Sequence, residues 1–395
     1  MPSEIRHHRH NRYRSLLSHP EFAGMYAGFV LTAAAGGLSG YALGALVDRR
    51  TGSPLLTAMS MYGATFAAVI GTLTLMSVAD GGRPRRTLVA LQAVSLASQA
   101  AQAIPGLPLA ARFGLLVVGF FQALGTGTRM GLLAELVPDS AYALARSLMN
   151  LTAGGTAIIG YAAADPLLRH LGTRGVFVLA AALTAAGLVA VAGTVRERSI
   201  RLARRPGLRQ TWQANVALFS RPGRRALLLN LWVPNGLIVG CEALFILYDP
   251  RHAGALLAAA SAGMLAGDLA VGRLLGAAQR RRGAFALRLL LAAPYALFAV
   301  HPPLPVALVA VFAASVGFAA TLPLQEQLLA LTPDSVRGQV QGVESAGRIT
   351  WQGIGATVAG GLALHLTPAA TMTALALVSL TLTIASRPYV VRAGG

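Results

Sequence analysis

The stretch VDRRTGSPLLTAMS, Val47–Ser60, returns as YDPRHAGALLAAAS, Tyr248–Ser261. Both read D-x-R-x-x-x-x-L-L-x-A-x-S, at an offset of 201 residues. Two further echoes follow in the same order. Arg85-Arg86 pairs with Arg281-Arg282 at offset 196, and Pro138-Asp139-Ser140 with Pro333-Asp334-Ser335 at offset 195. Self-similarity at a near-constant period marks a duplicated architecture. Each echo falls between apolar blocks, so the repeating unit is a set of such blocks.

Composition says what solvent those blocks meet. The chain has 395 residues, 55% of them hydrophobic and only 12% charged. A soluble domain needs a far more polar surface. Twelve apolar segments are legible: 22–46, 55–78, 87–105, 108–130, 142–164, 173–194, 226–247, 252–275, 284–300, 304–329, 339–364 and 368–386. Each is close to the roughly 20 residues that cross a bilayer as a helix. The expected fold is therefore an all-α membrane protein, with twelve transmembrane helices in two six-helix halves. The division is a tail at 1–21, a first half at 22–194, a central loop at 195–225, a second half at 226–386 and a tail at 387–395.

All 33 basic residues are arginine, against 14 acidic ones, for a net charge of +19. The lack of lysine excludes a P-loop and any Schiff-base chemistry. The arginines sit between apolar blocks, which fits membrane topology better than nucleic-acid binding. With the N-terminus placed inside, inner segments hold 22 arginines and outer loops 6. That excess places both termini in the cytoplasm of an inner-membrane protein and puts Gly44–Leu56 in an outer loop. The N-terminal histidines His7, His8 and His10 read first as part of this basic tail, with metal binding as the alternative. The single cysteine, Cys241, allows no disulfide or cysteine-based metal site within one chain. No metal or cofactor is expected. No H-E-x-x-H, G-x-S-x-G or His/Cys cluster sits at membrane depth, which tells against an enzyme.

The loop between the second and third segments reads VADGGRPRRTL, Val78–Leu88. It resembles the G-x-L-A-D-R-x-G-R-R gate motif of the major facilitator superfamily, with Ala79, Asp80, Arg85 and Arg86 in register and Met76, Gly81 and Arg83 departing from it. The block LAELVPDSAYALARSLMNLTAGGTAIIGYAAADPLLRHLGTRGVF, 133–177, is similar to that family's small-molecule exporters. The resemblance implies a rocker-switch secondary transporter whose parallel halves enclose a site near the midplane. It implies that Asp80 docks on the start of span 11, near Val336–Val340. A carboxylate there would meet free N–H groups and the positive end of the helix dipole. The other reading of the loop is a solvated turn with positive-inside arginines.

Ionisable groups inside spans are costly and are functional candidates by default. Glu242 lies beyond the middle of span 7, with Pro234 and Asn235 before it. In the family, spans 1, 4, 7 and 10 line the cavity, so Glu242 is the first candidate for proton coupling or cation binding. A hydrogen-bonded structural role is its alternative. Asp268 stands in span 8, where structural and coupling roles are equal readings. Arg273 is 140° away around the helix and does not suit it as a partner. Glu344 and Arg348 in span 11 are spaced i, i+4 in the favoured order. They read as an intrahelical pair, or Arg348 as an anion site. Gln122, Thr126, Asn150, Asn235 and Gln352 are polar cavity candidates. Arg83, Arg85, Arg86, Arg129, Arg146 and Glu326, with Asp80, read as the cytoplasmic gate.

Small residues recur every fourth position in span 1, from Gly24 to Gly44, and in span 8, from Gly254 to Ala270, which predicts close helix packing. The antiporter glycine-proline motif is missing from AGGTAIIG (153–160), and a mid-span-4 arginine is absent because Arg112 lies at the outer end; both tell against antiport. The leading expectation is a monomer exporting a drug-like or natural-product compound across the bilayer, driven by protons. Proton-coupled uptake, or a transporter-like sensor or scaffold without flux, are the alternatives.

Overall fold

A computed structural model describes residues 16–79, 83–137, 139–197, 219, 221–332 and 337–392. Twelve helical passes follow one another in the described residues, with no strand among them. They are α1 (Pro20–Thr51), α2 (Pro54–Ala79), α3 (Pro84–Gln102) and α4 (Leu109–Leu115, a 3-10 turn at Leu116–Val118, then Gly119–Leu136). Asp139–Thr194 is continuous by hydrogen bonding but breaks at Gly172, giving α5 (139–171) and α6 (173–194). The rest are α7 (Pro222–Ala243, with a last turn Phe245–Tyr248), α8 (Ala253–Leu274) and α9 (Ala277–Ala292, continued as a 3-10 helix to Val300). Then come α10 (Leu304–Val316, a 3-10 turn, then Thr321–Ala330), α11 (Arg337–Leu362) and α12 (Pro368–Arg392). Seven of the described helices are long and apolar enough to cross a membrane. Proline opens α1, α2, α3, α7 and α12, where a missing N–H costs nothing.

Several boundaries differ from the sequence reading, among them three in the first half. α1 runs through Asp48, Arg49 and Arg50 to Thr51, so the expected outer loop shrinks to Gly52–Ser53. Nothing before Gly52, which has φ 57°, breaks the helix. The loop expected at 165–172 is helical, and the chain turns only at Gly172 (φ 65°). α4 continues to Leu136, six residues past the expected end.

The chain forms two compact units: described residues within Met1–Ala42 and Ala67–Arg204, and within Leu43–Phe66 and Arg205–Gly395. In the first, Phe22, Met25, Leu132, Leu133 and Met149 form a buried cluster. Gly24 lets α1 touch α6; a Cβ there would lie 1.6 Å from Thr194 Oγ1. In the second, a Cβ on Gly355 would lie 1.9 Å from the Gly236 carbonyl oxygen, so α7 and α11 meet backbone to backbone. The expected small-residue stripes are only partly the contact faces. Gly36 has nothing within 4 Å, and α8 meets α10 through Gly263 and Gly267, which stand outside the expected Gly254–Ala270 row. A step of four drifts around a helix of 3.6 residues per turn, so a long row cannot stay on one neighbour. Large apolar side chains such as Ile159, Val189, Val309 and Ile384 stand exposed, while Glu344 and Arg288 are buried. This distribution suits a lipid surround.

Candidate functional site

In the second unit, several charged side chains of the helices meet. α11 presents Glu344 and, one turn on, Arg348. Glu344 is 2% exposed. Its Oε1 accepts from Arg348 Nε at 3.1 Å, and its Oε2 accepts from Gln325 Nε2 of α10 at 2.8 Å. Trp232 Nε1 of α7 donates to the Glu344 carbonyl oxygen at 2.9 Å. Asp268 of α8 is exposed and lies within electrostatic reach of Arg348. Arg348 thus faces two carboxylates, one buried and one open. Gln352 follows Arg348 by one turn and is half-buried.

Arg288 of α9 completes this region, and the sequence reading passed over it. It is 2% exposed. Its Nε donates to Asn230 Oδ1 at 3.2 Å, its Nη1 donates to Asn235 Oδ1, and its Nη2 has no partner among the described residues. The two asparagines are held in turn: Asn230 Nδ2 donates to Ser386 Oγ at 2.6 Å and Asn235 Nδ2 to Thr321 Oγ1 at 3.4 Å. Glu344 and Arg348 lie within electrostatic reach of Arg288. A buried guanidinium needs such dipoles, since desolvating it unpaired is costly. The signal was present: a lone arginine inside FALRLLLAAPYALFAV.

Glu242 of α7 sits apart from that network. It is 5% exposed, and its Oε1 has no hydrogen-bond partner among the described residues. Tyr295 of α9, fully buried and with its hydroxyl also unpartnered there, lies within electrostatic reach. Tyr295 stacks on Phe245 at 6.4 Å, one turn after Glu242. Beside Glu242, Ala243 packs on Ala58 and Ala356, with Tyr62 against them. Glu242 thus stands beside Tyr295 and small apolar side chains with one carboxyl oxygen unsatisfied among the described residues.

The remaining candidates fall elsewhere. Asp80 and residues 333–336 lie outside the described residues, so the proposed gate contact does too. Gln122 and Thr126 are on α4, Asn150 and Arg146 on α5, and their side chains lie outside the described part. Arg85 donates from Nη2 to the Ala192 carbonyl oxygen at 2.6 Å. Arg85 and Arg86 pair with Glu197 at 3.8 and 3.5 Å, while Arg83 is the exposed residue before α3. Glu326 pairs with Arg280, Nη2 to Oε1, at 2.7 Å.

Arg129 lies seven residues before the end of α4, roughly 10 Å in from that end, with its guanidinium 4.8 Å from the Phe29 ring centroid. Arg112, taken as an outer-loop charge, is 4% exposed and donates to the Gln102 and Ile104 carbonyl oxygens at the end of α3. Asp165, taken as a loop residue, lies on α5 and accepts from the Tyr41 hydroxyl. No group of three or more His, Cys, Asp or Glu side chains forms a metal site among the described residues.

Neither a family model nor a curated protein matches the chain. Solved structures do. A POT family transporter in complex with a thioalcohol-conjugated peptide superposes with a TM-score of 0.72 at 11% identity, covering 94% of this chain and 96% of the other. A POT family transporter in complex with 5-aminolevulinic acid gives the same values. A glutamate-to-glutamine mutant of a peptide transporter POT with alafosfalin gives 0.70 at 15% identity, with 94% and 95% covered. The chain shares its fold with these structures. At these identities the likeness is one of fold, and it does not single out the exporter-like branch.

Proposed function

We propose that this chain is a secondary active transporter that moves a small molecule across the cytoplasmic membrane by alternating access, with both termini in the cytoplasm. The observation that carries the reading is Glu242: a carboxyl group buried on α7 with an oxygen that no described residue satisfies. Retaining such a group inside an apolar helix has a cost that proton binding relieves. Arg348 and Asp268 supply the charged lining for substrate, and Glu344 with Gln325 fixes Arg348 in place. Arg288 holds the amides of Asn230 and Asn235.

Proton-driven export is the direction carried from the sequence. Uptake is the second reading, favoured by the shared fold with POT transporters solved with a peptide conjugate and with 5-aminolevulinic acid. Cells producing the full chain distinguish them. Export lowers the accumulation of a transported dye or peptide and uptake raises it. In both cases Glu242→Gln abolishes the difference from empty cells. No change across a broad panel, with Glu242→Gln indistinguishable from the native chain, supports the sensor or scaffold alternative.

A further inference from the structure

A cavity of about 430 Å³ lies between α7 and α12, in a different place from Glu242 and Arg348. Ala226, Leu229 and Val233 of α7 and Leu382 and Ala385 of α12 form its walls. Its polar floor is already satisfied: Asn230 bonds to Ser386 at 2.6 Å and to Arg288 at 3.2 Å. Nothing in the depth of the groove calls for a polar ligand. The walls are themselves exposed, Leu229 at 43% and Leu382 at 39%, and Val378, one turn before Leu382 on the same α12 face, at 49%. The groove therefore opens sideways onto the surface that lipid chains cover.

One end differs. Arg225, exposed, is the charged residue of the lining, and no acidic residue joins it there. Arg221, also exposed, lies one turn earlier at the helix start. From Arg225 to Val233 the groove spans roughly 12 Å of helix. An occupant must combine an apolar chain of that length with a single anionic head. We propose that the α7–α12 groove holds an acyl chain of an anionic phospholipid, with the phosphate bound by Arg225. Basic rims between transmembrane helices recognise such headgroups by charge, and an arginine does so with directed N–H groups.

The test uses the full-length protein in nanodiscs of mixed phosphatidylglycerol and phosphatidylcholine, each supplied in turn with a diazirine on its acyl chain. After photolysis, label from phosphatidylglycerol is expected on residues 226–233 and 382–385, about fivefold above label from phosphatidylcholine. Arg225→Gln is expected to remove that preference while leaving label elsewhere unchanged. Ala385→Trp is expected to clear both lipids from the groove. Equal labelling by the two lipids in the native protein overturns the proposal. So does label spread evenly along the α12 face, or displacement of the lipid by a transported compound. The native protein alone decides these outcomes if a variant fails to fold.

Discussion

The C-terminal ends of α1 and α7 carry the same repeated pattern and finish differently. α1 passes through Asp48-Arg49-Arg50 as helix, whereas α7 stops at Tyr248 and Asp249 turns extended (φ −145°, ψ 88°). Pro250 is the cause. It disfavours helical geometry at the residue before it, and the first copy has Arg49 in its place. Asp249 then accepts from His252 and from the Arg251 amide, closing a turn that the first copy lacks. The same divergence runs through the halves. In the first, Arg112 donates to carbonyl oxygens, Asp165 accepts from the Tyr41 hydroxyl, and Arg129 lies over an aromatic face. In the second, Arg348 joins Glu344, Gln325 and Asp268, and Arg288 joins two asparagines. Among the described side chains, the second copy of the scaffold carries a linked charged network.

The largest effect expected from breaking this picture is at the α7–α11 seam. Gly355→Val should cost at least about 1–3 kcal/mol, or prevent folding, because its side chain meets the Gly236 backbone. Gly36→Val, with open space around it, should stay within about 0.5 kcal/mol. Thermal unfolding in detergent separates the two. Next, Arg348→Ala should destabilise by roughly 1.5–3 kcal/mol, since Glu344 loses its charge-assisted bond. Adding Glu344→Gln should restore part of that loss, and a double-mutant cycle measures the coupling. In the first half, Arg129→Leu should cost about 1 kcal/mol, the size of one cation–π contact.

Smaller still, Pro250→Ala should cost about 0.4–1 kcal/mol through the unfolded chain. It should also let helix extend through Asp249, slowing amide exchange at 249–252. Unchanged exchange there would contradict the account of why the two ends differ. Smallest is Glu326→Gln, where an exposed pair with Arg280 is worth roughly 0.2–0.5 kcal/mol and fades with added salt. The exposed Arg86–Glu197 pair in the first half should behave alike.

Most of the fold was legible because bilayer thickness fixes the length of every apolar block, and arginine-rich gaps punctuate them. What escaped was local. Helices ran past Asp48 and Asp165 because a charged residue does not end a helix; only Gly52 and Gly172 could. The second extension put Asp165 on a helix, where it accepts from the Tyr41 hydroxyl. The i, i+4 spacing of Glu344 and Arg348 predicted their bond, since both partners lie on one helix. Gln325 meets Glu344 across α10 and α11, and Asn230 meets Arg288 across α7 and α9; linear spacing carries no information about such meetings. Arg288 was visible as a lone charge in an apolar run, and its cost alone should have marked it.

Proteoliposomes containing the full chain and loaded with a transported compound test the coupling role of Glu242 most directly. With an imposed pH gradient, the native protein should concentrate the compound, whereas Glu242→Gln should exchange it across the membrane without concentrating it. Concentration by Glu242→Gln at the native rate would contradict the assignment of the coupling proton to α7.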